Sequence, residues 1–347
     1  MIRRLDTLLA RTGSLRAVAL LRIAIGPIVL LHLQPFLVDS LDGRIPGDTF
    51  VVPFAGWYPI LPRAAYLTAL WATVGTAVLL SLGLLTRAAA VFTAGFVAYN
   101  LFLSQTHFHH NRAFLVILLT GLALLRVGDH LSIDAWWRRR RRRTPGPAPL
   151  WPLWLMRFEV AVVYAASGFS KLIDPDWFGG TVLLLRIEQW RDTALDRGAP
   201  GWALDLLADP GFMSGFAKVV VLSELFIGLG LLWPRTRLVA VWVAIPFHLA
   251  IEATASVQTF SVAALAALTI WVTPRDHDRT LAVPADTRLH RLVRRLDWTG
   301  RFDVSDGPLI LDDRGITRTG ADALLAVLAR LPLTFWFAAP ARLIRRP

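Results

Sequence analysis

Long apolar runs alternate with short polar stretches through residues 1–275. Because a helix rises about 1.5 Å per residue, about 20 apolar residues cross the hydrocarbon layer of a bilayer, which is roughly 30 Å thick. The runs predict an all-α polytopic membrane protein with about eight transmembrane helices. The predicted spans are residues 15–38, 66–85, 88–104, 112–127, 152–171, 212–233, 237–255 and 258–273.

The apolar pattern ends after Thr273, so we divide the chain into a transmembrane domain, 1–275, and a short tail, 276–347. Within the tail, residues 302–312 predict a strand that is followed by a turn, and residues 320–331 predict a helix. The apolar stretch 333–344 is too short to span and fits the membrane interface. The tail is therefore expected to be a small α/β-like unit.

Composition agrees with the membrane class, since 55% of the residues are hydrophobic, 18% are charged and the mean hydropathy is +0.50. Soluble domains carry about 25% charged residues. The absence of Cys excludes disulfides and Cys-based metal sites. A net charge of +12 would suggest nucleic acid for a soluble protein. In a membrane protein such a surplus marks cytoplasmic loops, so no nucleic-acid partner is predicted.

The basic residues collect on one side of the alternating topology. That side holds the N-terminus, the arginine run at 138–143, the 235–237 turn and the start of the tail. Cytoplasmic loops are enriched in Lys and Arg, so both termini are predicted to be cytoplasmic, in a protein of the inner or plasma membrane. The partner of the domain is then the lipid bilayer.

Polar side chains inside predicted spans are costly and therefore informative. Such side chains can also have a purely structural role: Arg157 and Glu224 could form a buried ion pair, and His248 could be a core imidazole bonded to the backbone. The set is Arg22, His32, Arg157, Glu159, Tyr164, Lys171, Lys218, Glu224, His248 and Glu252.

Lys171 stands out because only two of the 37 basic residues are Lys. Arg cannot act as a base at usable pH, whereas a desolvated Lys can. Helical spacing places Tyr164, Ser167 or Gly168, and Lys171 on one face. That face ends beside Asp176 and Trp177, at the predicted outer boundary of the membrane, where a reactant dissolved in lipid could reach it.

A histidine-rich loop at His107-Phe108-His109-His110-Asn111 invites a metal interpretation. Histidine pairs that bind metal from one helix face usually sit at i and i+4, and no carboxylate is near in sequence. An external cap over a cavity is favoured, and no metal site is predicted.

Two segments resemble a known family. Asp129 to Gly180 contains DHLSIDAWW and PLWPLWLMRFEVAVVYAASGFSKLIDPDWFGG, and Glu224 to Phe260 contains a Trp-Pro-Arg-x-Arg turn and Phe247-His248. On these motifs, residues 15–273 resemble the HTTM domain, the membrane domain shared by vitamin K-dependent gamma-carboxylase and its bacterial relatives.

The resemblance implies a role for Lys171. In the carboxylase, the Lys of the Gly-x-x-Lys-Leu segment is regarded as the base that deprotonates vitamin K hydroquinone. Oxygenation then gives an epoxide and a strong base that removes a glutamate proton before carboxylation. By match that Lys is Lys171, and the implied reactant is menaquinol or another lipid-soluble quinol. Tyr164 and His248 are the candidate orienting groups. The candidate substrate contacts are Asp176, Trp177, Arg157, Glu159 and His110.

Three departures change what the resemblance implies. Glu159 stands where the family has Gln, and Asn111-Arg112 stands where it has Asn-His, with His109 and His110 displaced upstream. The carboxylase also has a large C-terminal region for its glutamate substrate, and the tail here is short, so protein carboxylation is not expected. Residues 311–332 resemble the C-terminal part of DCC-family domains, whose cysteines are absent here.

Three functions remain open at this stage. The first is quinol chemistry of the oxygenase or epoxidase type with Lys171 as general base. The second is a non-catalytic membrane factor for export or maturation of a secreted peptide, with Lys171 paired to Asp174 or Asp176. The third is a transporter, although the inverted repeats and broken helices typical of transporters are weak in this sequence.

Overall fold

The computed structural model describes residues 10–44, 51–105, 108–143, 148–196, 198–255, 259–272, 279–297, 300–313, 315–331 and 333–344. Within these ranges the chain is mostly helical, with a small mixed sheet near its C-terminus. The helices before the tail are α1 Arg16–Leu41, α2 Arg63–Leu82, α3 Thr86–Leu103, α4 His110–Leu124, α5 Ile133–Arg140, α6 Trp151–Ile173, α7 Pro175–Gly179, α8 Thr181–Asp196, α9 Gly201–Ala208, α10 Pro210–Leu232, α11 Arg237–Ala255 and α12 Thr259–Ala267.

Four helices of the described residues are long and apolar enough to cross a membrane: α1, α2, α3 and α10. Two further predicted spans, 112–127 and 258–273, correspond to the shorter apolar helices His110–Leu124 and Thr259–Trp271. The remaining two, 152–171 and 237–255, fall on α6 and α11, which carry charged residues within their length. The protein is thus a helical membrane protein with four candidate spans.

The helices before the tail share one apolar core that extends from α1 to α12. Helices α6 and α10 pack closely within this core. A Cβ at Gly228 would come within 2.8 Å of the Ala165 backbone nitrogen, and a Cβ at Gly168 within 2.9 Å of Leu225 Cγ. Small residues let helix backbones approach this closely, and the contact positions show that the two helices run antiparallel.

Arg22, one of the polar residues of the first predicted span, is fully buried and joins α1 to the end of α2. Its guanidinium donates to the carbonyls of Leu80, Ser81 and Leu131 at 2.5–2.6 Å. Helix C-termini leave carbonyls without helical partners, and a buried Arg satisfies several of them at once. Arg22 therefore has a structural role, because its hydrogen bonds connect α1 to the end of α2.

The tail contains the four-stranded sheet. Its strands, in the order β4-β3-β5-β6, are β3 Arg279–Ala282, β4 Asp303–Ser305, β5 Ile310–Asp313 and β6 Ile316–Thr319. A separate two-stranded sheet, formed by β1 Thr12–Gly13 and β2 Ala148–Pro149, lies before the tail. Strand β3 pairs parallel to β4 and antiparallel to β5, which pairs antiparallel to β6. Helices α13 Arg288–Leu296, α14 Gly320–Leu328 and α15 Phe335–Ile344 complete it.

The tail has an apolar core of its own, built from strands β3 and β5 and helices α13 and α14. The predicted helix at 320–331 is confirmed as α14. The predicted strand at 302–312 is two strands, β4 and β5, because Asp306-Gly307-Pro308 interrupts it and Gly307 has φ of +155°. Only glycine adopts that backbone region readily.

Candidate functional site

Helix α6 presents the predicted face of Tyr164, Gly168 and Lys171. Tyr164 is 3% exposed and Gly168 is packed against α10, so the face is turned inward along most of its length. Lys171 lies in the last turn of α6, where a cation also interacts favourably with the helix dipole. The helical spacing argument therefore locates all three residues correctly on one side of the helix.

The Lys171 ammonium forms an ion pair that crosses to α10. Its Nζ donates to Glu224 Oε2 at 2.6 Å and to Ser167 Oγ at 2.9 Å, and it lies 5.1 Å from the centre of the Trp177 ring. The Lys171 side chain is 20% exposed and that of Glu224 is 7% exposed. The pair is therefore largely removed from water, which makes both groups sensitive to the loss of the other.

Two predicted pairings are wrong as a result. Glu224 does not pair with Arg157, and the acidic partner of Lys171 is Glu224 rather than Asp174 or Asp176. The partnership was missed because spacing along one helix says nothing about its neighbour. The signal that could have found it is that Glu224 is the sole acidic residue of the predicted span 212–233, just as Lys171 ends the span that packs beside it.

A second polar contact joins α6 to α11. The Tyr164 hydroxyl and His248 Nε2 are 2.6 Å apart, and His248 is fully buried between the rings of Phe247 and Phe260. This brings together two residues that the sequence placed 84 positions apart. The expectation that His248 bonds to backbone is replaced by a bond to a phenol, a group that can give or take a proton.

Two buried polar atoms next to this contact have no hydrogen-bond partner among the described residues. They are Nδ1 of His248 and Oε2 of Glu252, which is one turn further along α11. Buried polar groups are usually bonded to protein or water. Their lack of protein partners means that this part of α11 retains hydrogen-bonding capacity for a water molecule or a ligand.

Of the remaining predicted substrate contacts, some lie close to Lys171 and others lie far from it. Trp177 is near Lys171, because Asp174 accepts hydrogen bonds from the backbone of Asp176 and Trp177 and so begins helix α7 there. Asp176 itself is exposed. Arg157 lies 14 residues before Lys171, or about 21 Å along the helix. Its guanidinium donates to the Ile270 carbonyl and lies over the Trp154 and Trp271 rings.

Glu159 and His110 are not brought to the Lys171 pair by any contact of the described residues. Glu159 is half-buried, two residues after Arg157. His110 is exposed and begins α4, with its ring against Phe108, while His109 caps the same helix by accepting from the Asn111 backbone. His107 lies outside the described residues. Among those that are described, no three His, Asp or Glu side chains group as metal ligands do.

The segment at Asp129–Asp134 is a set of capping interactions. Ser132 begins α5 and donates to the Gly128 carbonyl, and Asp134 accepts from the backbone of Leu85 and Thr86 at the start of α3. Asp129 pairs with Arg126 and Arg138. Burial lowers the pKa of His130, Asp129 opposes that change, and nearby arginines add to it. This half of the sequence motif holds loops in place.

Comparison with protein-family models gives a match to the HTTM domain over residues 11–275. The chain belongs to the HTTM domain family. The match covers every residue of the two polar contacts and stops at the start of the sheet-containing tail. Comparison with curated proteins and with solved structures finds no match. The HTTM assignment made from the 129–180 and 224–260 motifs is confirmed.

Proposed function

We propose that this HTTM-domain protein acts on a lipid-soluble quinol, menaquinol or a close relative, with Lys171 as the general base. The observation that carries the proposal is the bond between Lys171 Nζ and Glu224 Oε2, 2.6 Å long and largely shielded from water. Trp177 covers the same amine with an aromatic face, a surface on which a quinol ring can stack.

The ion pair gives Lys171 a route to the neutral amine that a base requires. Two opposite charges held out of water pay a desolvation cost that a neutral pair does not pay. Movement of one proton from Nζ to Oε2 gives an amine beside a carboxylic acid. A quinol hydroxyl then transfers its proton to Nζ, and its electron pair stays on oxygen as a quinolate, the form that dioxygen oxidises.

Tyr164 and His248 support the same chemistry as orienting groups. Their hydroxyl and imidazole are already bonded to each other, and Glu224 lies within electrostatic reach of the phenol. The free capacity of His248 Nδ1 suits the second oxygen of a quinol. Asp176 shapes the entrance, while Arg157, Glu159 and His110 are assigned more distant roles in substrate contact.

The proposed topology has eight spans, adding α4, α6, α11 and α12 to the four candidate spans. The arginines at 138–143 and at the 235–237 turn are assigned to the cytoplasmic side, as are both termini and the tail. Lys171 and Trp177 then lie at the outer boundary of a cytoplasmic membrane.

The test compares the two lysines of the chain. A correctly placed general base contributes about 10²–10⁴-fold to rate. Lys171→Ala should therefore lower menaquinol oxidation, followed as quinol loss and dioxygen uptake, by at least that lower factor. Lys218→Ala is the matched control, because Lys218 is exposed and bonds weakly to Ser214 at 3.4 Å.

Mass spectrometry of lipids extracted from the purified protein should detect a co-purifying menaquinone. Equal turnover by Lys171→Ala would end the proposal.

A second candidate function is a non-catalytic factor that helps a secreted peptide to mature or leave the cell. The observation in its favour is that the Lys171 pair also ties α6 to α10, as a purely structural bridge would. In that case Lys171→Ala lowers the thermal stability of the protein and release of the peptide together, and no quinol is turned over by the unmodified chain.

A further inference from the structure

Every fourth residue of helix α11, from Ala240 onward, is turned into the apolar core. Ala240, Ala244 and His248 are each fully buried, and Glu252 is the next residue in this row. Residues four positions apart lie on one face of a helix. The Oε2 atom of Glu252 is itself buried, so its carboxylate is directed into the same interior as the His248 imidazole.

This face of α11 presents an unused hydrogen-bond donor and, one turn later, an unused acceptor. Neither His248 Nδ1 nor Glu252 Oε2 has a hydrogen-bond partner among the described residues, although buried polar groups are normally bonded. When the Tyr164 hydroxyl donates to His248 Nε2, the neutral imidazole carries its proton on Nδ1, which is then a donor. The Glu252 carboxylate can only accept. The two atoms are therefore complementary in hydrogen-bonding character.

A hydroxyl group matches this pair of atoms, because it accepts one hydrogen bond and donates another. The second hydroxyl of a quinol would accept from His248 Nδ1 and donate to Glu252 Oε2. An ether or ketone oxygen, which only accepts, would leave the Glu252 carboxylate buried and unpaired, at a cost in binding free energy. The pair of atoms thus favours a ligand that carries a proton on its oxygen.

Helix directions place Glu252 and Lys171 on the same side of the contact between Tyr164 and His248. Helix α10 runs antiparallel to α6, and the short turn at 233–236 reverses the chain again, so α11 runs in the same direction as α6. At about 1.5 Å per residue, Glu252 lies about 6 Å beyond the contact along α11, and Lys171 lies about 10 Å beyond it along α6. The carboxylate and the amine are at comparable depths on different helices, which suits the two ends of one quinol ring.

We propose that Glu252 is a second general base, which accepts the proton of the second quinol hydroxyl; this role rests on the proposed quinol chemistry. Oxidation of a quinol to a quinone releases two protons and two electrons. Lys171 takes the proton of one hydroxyl, and Glu252 takes that of the other as its O–H bond breaks. Both electrons pass to dioxygen. Lys171 and Glu252 then each return one proton to the reduced dioxygen, which leaves as hydrogen peroxide.

The test measures kcat and KM of the purified full chain for menaquinol oxidation, followed as quinol loss and hydrogen peroxide formation. Glu252→Gln keeps the size of the side chain but removes its capacity to accept a proton. Because a general base contributes about 10²–10⁴-fold to rate, kcat should fall at least about 100-fold. KM should change little, since the amide oxygen still accepts from the hydroxyl. Glu188→Gln is the matched control with unchanged kcat, because Glu188 is exposed on α8.

A second variant distinguishes a base from a purely structural carboxylate. Glu252→Asp restores a carboxylate on a shorter side chain and should regain at least about tenfold of the kcat that Glu252→Gln loses. Infrared difference spectra recorded during turnover of the unmodified chain should show a protonated carboxyl band that shifts in Glu252→Asp and stays in Glu188→Gln. This measurement remains decisive if Glu252→Gln does not fold, and a band that does not shift would contradict the proposal.

The outcomes separate this inference from the proposed function. Unchanged kcat in Glu252→Gln, together with loss of turnover in Lys171→Ala, would overturn the role of Glu252 and leave Lys171 as the general base. Absence of quinol turnover by the unmodified chain would overturn both.

Discussion

The amine of Lys171 and the carboxylate of Glu224 depend on each other because both are largely removed from water. Removing one partner of such a pair leaves a buried charge without compensation, which costs about 3–5 kcal/mol, whereas replacing both with apolar residues is often neutral. The 20% exposure of the Lys171 side chain favours the lower end of that range. The pair is therefore a mutual constraint, whatever chemistry it carries.

We expect Glu224→Gln to lower the unfolding free energy by about 3 kcal/mol, because the Lys171 charge loses the carboxylate that compensates it, while Ser167 and Trp177 are neutral. The double variant Lys171→Met/Glu224→Leu should recover most of this loss. The measurement is denaturant unfolding of the purified protein in mild detergent. Losses that simply add in the double variant would show that the two side chains are not energetically coupled.

At the scale of single helices, the sequence predicted which residues share a helix face but not which neighbouring helix packs against that face. The 3.6-residue period placed Tyr164, Gly168 and Lys171 on one face, and turn residues marked the end of α6 and the β5–β6 turn. The period could not say that α10 packs against this face, because that contact depends on glycines in both helices. The Glu224 partner follows only from that packing.

Helix length was predicted less well than helix existence. The predicted spans 112–127 and 258–273 each contain a helix, but α4 ends at Leu124 and α12 gives way to a 3₁₀ turn at Leu268. Hydropathy averages over such changes because the side chains remain apolar. The strand predicted at 302–312 failed differently, since one glycine with positive φ is enough to divide it.

The α6–α10 contact provides a prediction at this scale. Gly228→Ala places a Cβ within 2.8 Å of the Ala165 backbone, which cannot move aside as a side chain can. Overpacking of this kind costs about 1–3 kcal/mol. Gly215→Ala is the control on the same helix, because nothing lies within 4 Å of its added Cβ. Denaturant unfolding should show loss in the first variant and none in the second; equal stability would mean that the helices are not in close contact at Gly228.

At the scale of the whole molecule, the tail and the transmembrane domain meet at more than one place. Arg16 at the start of α1 lies beside Gly300, and Phe335 at the start of α15 packs against the apolar core of the helices before the tail. Charge asymmetry suggested that the tail and the arginine run are on one side, but sequence could not show the contacts between them. These contacts require the N-terminus of α1 and the tail to share a face of the membrane.

The proposed orientation can be tested directly because the chain contains no Cys. Single cysteines are introduced at exposed positions and labelled in intact cells with a membrane-impermeant maleimide. Gly56→Cys and Gly179→Cys should be labelled from outside, whereas Arg141→Cys and Arg291→Cys should react only after the cells are opened, because cytoplasmic loops retain the basic residues. Labelling of Arg291→Cys in intact cells would put the tail outside. It would also put the end of α6, with Lys171, at the inner boundary, and the quinol would then have to enter from the cytoplasmic leaflet.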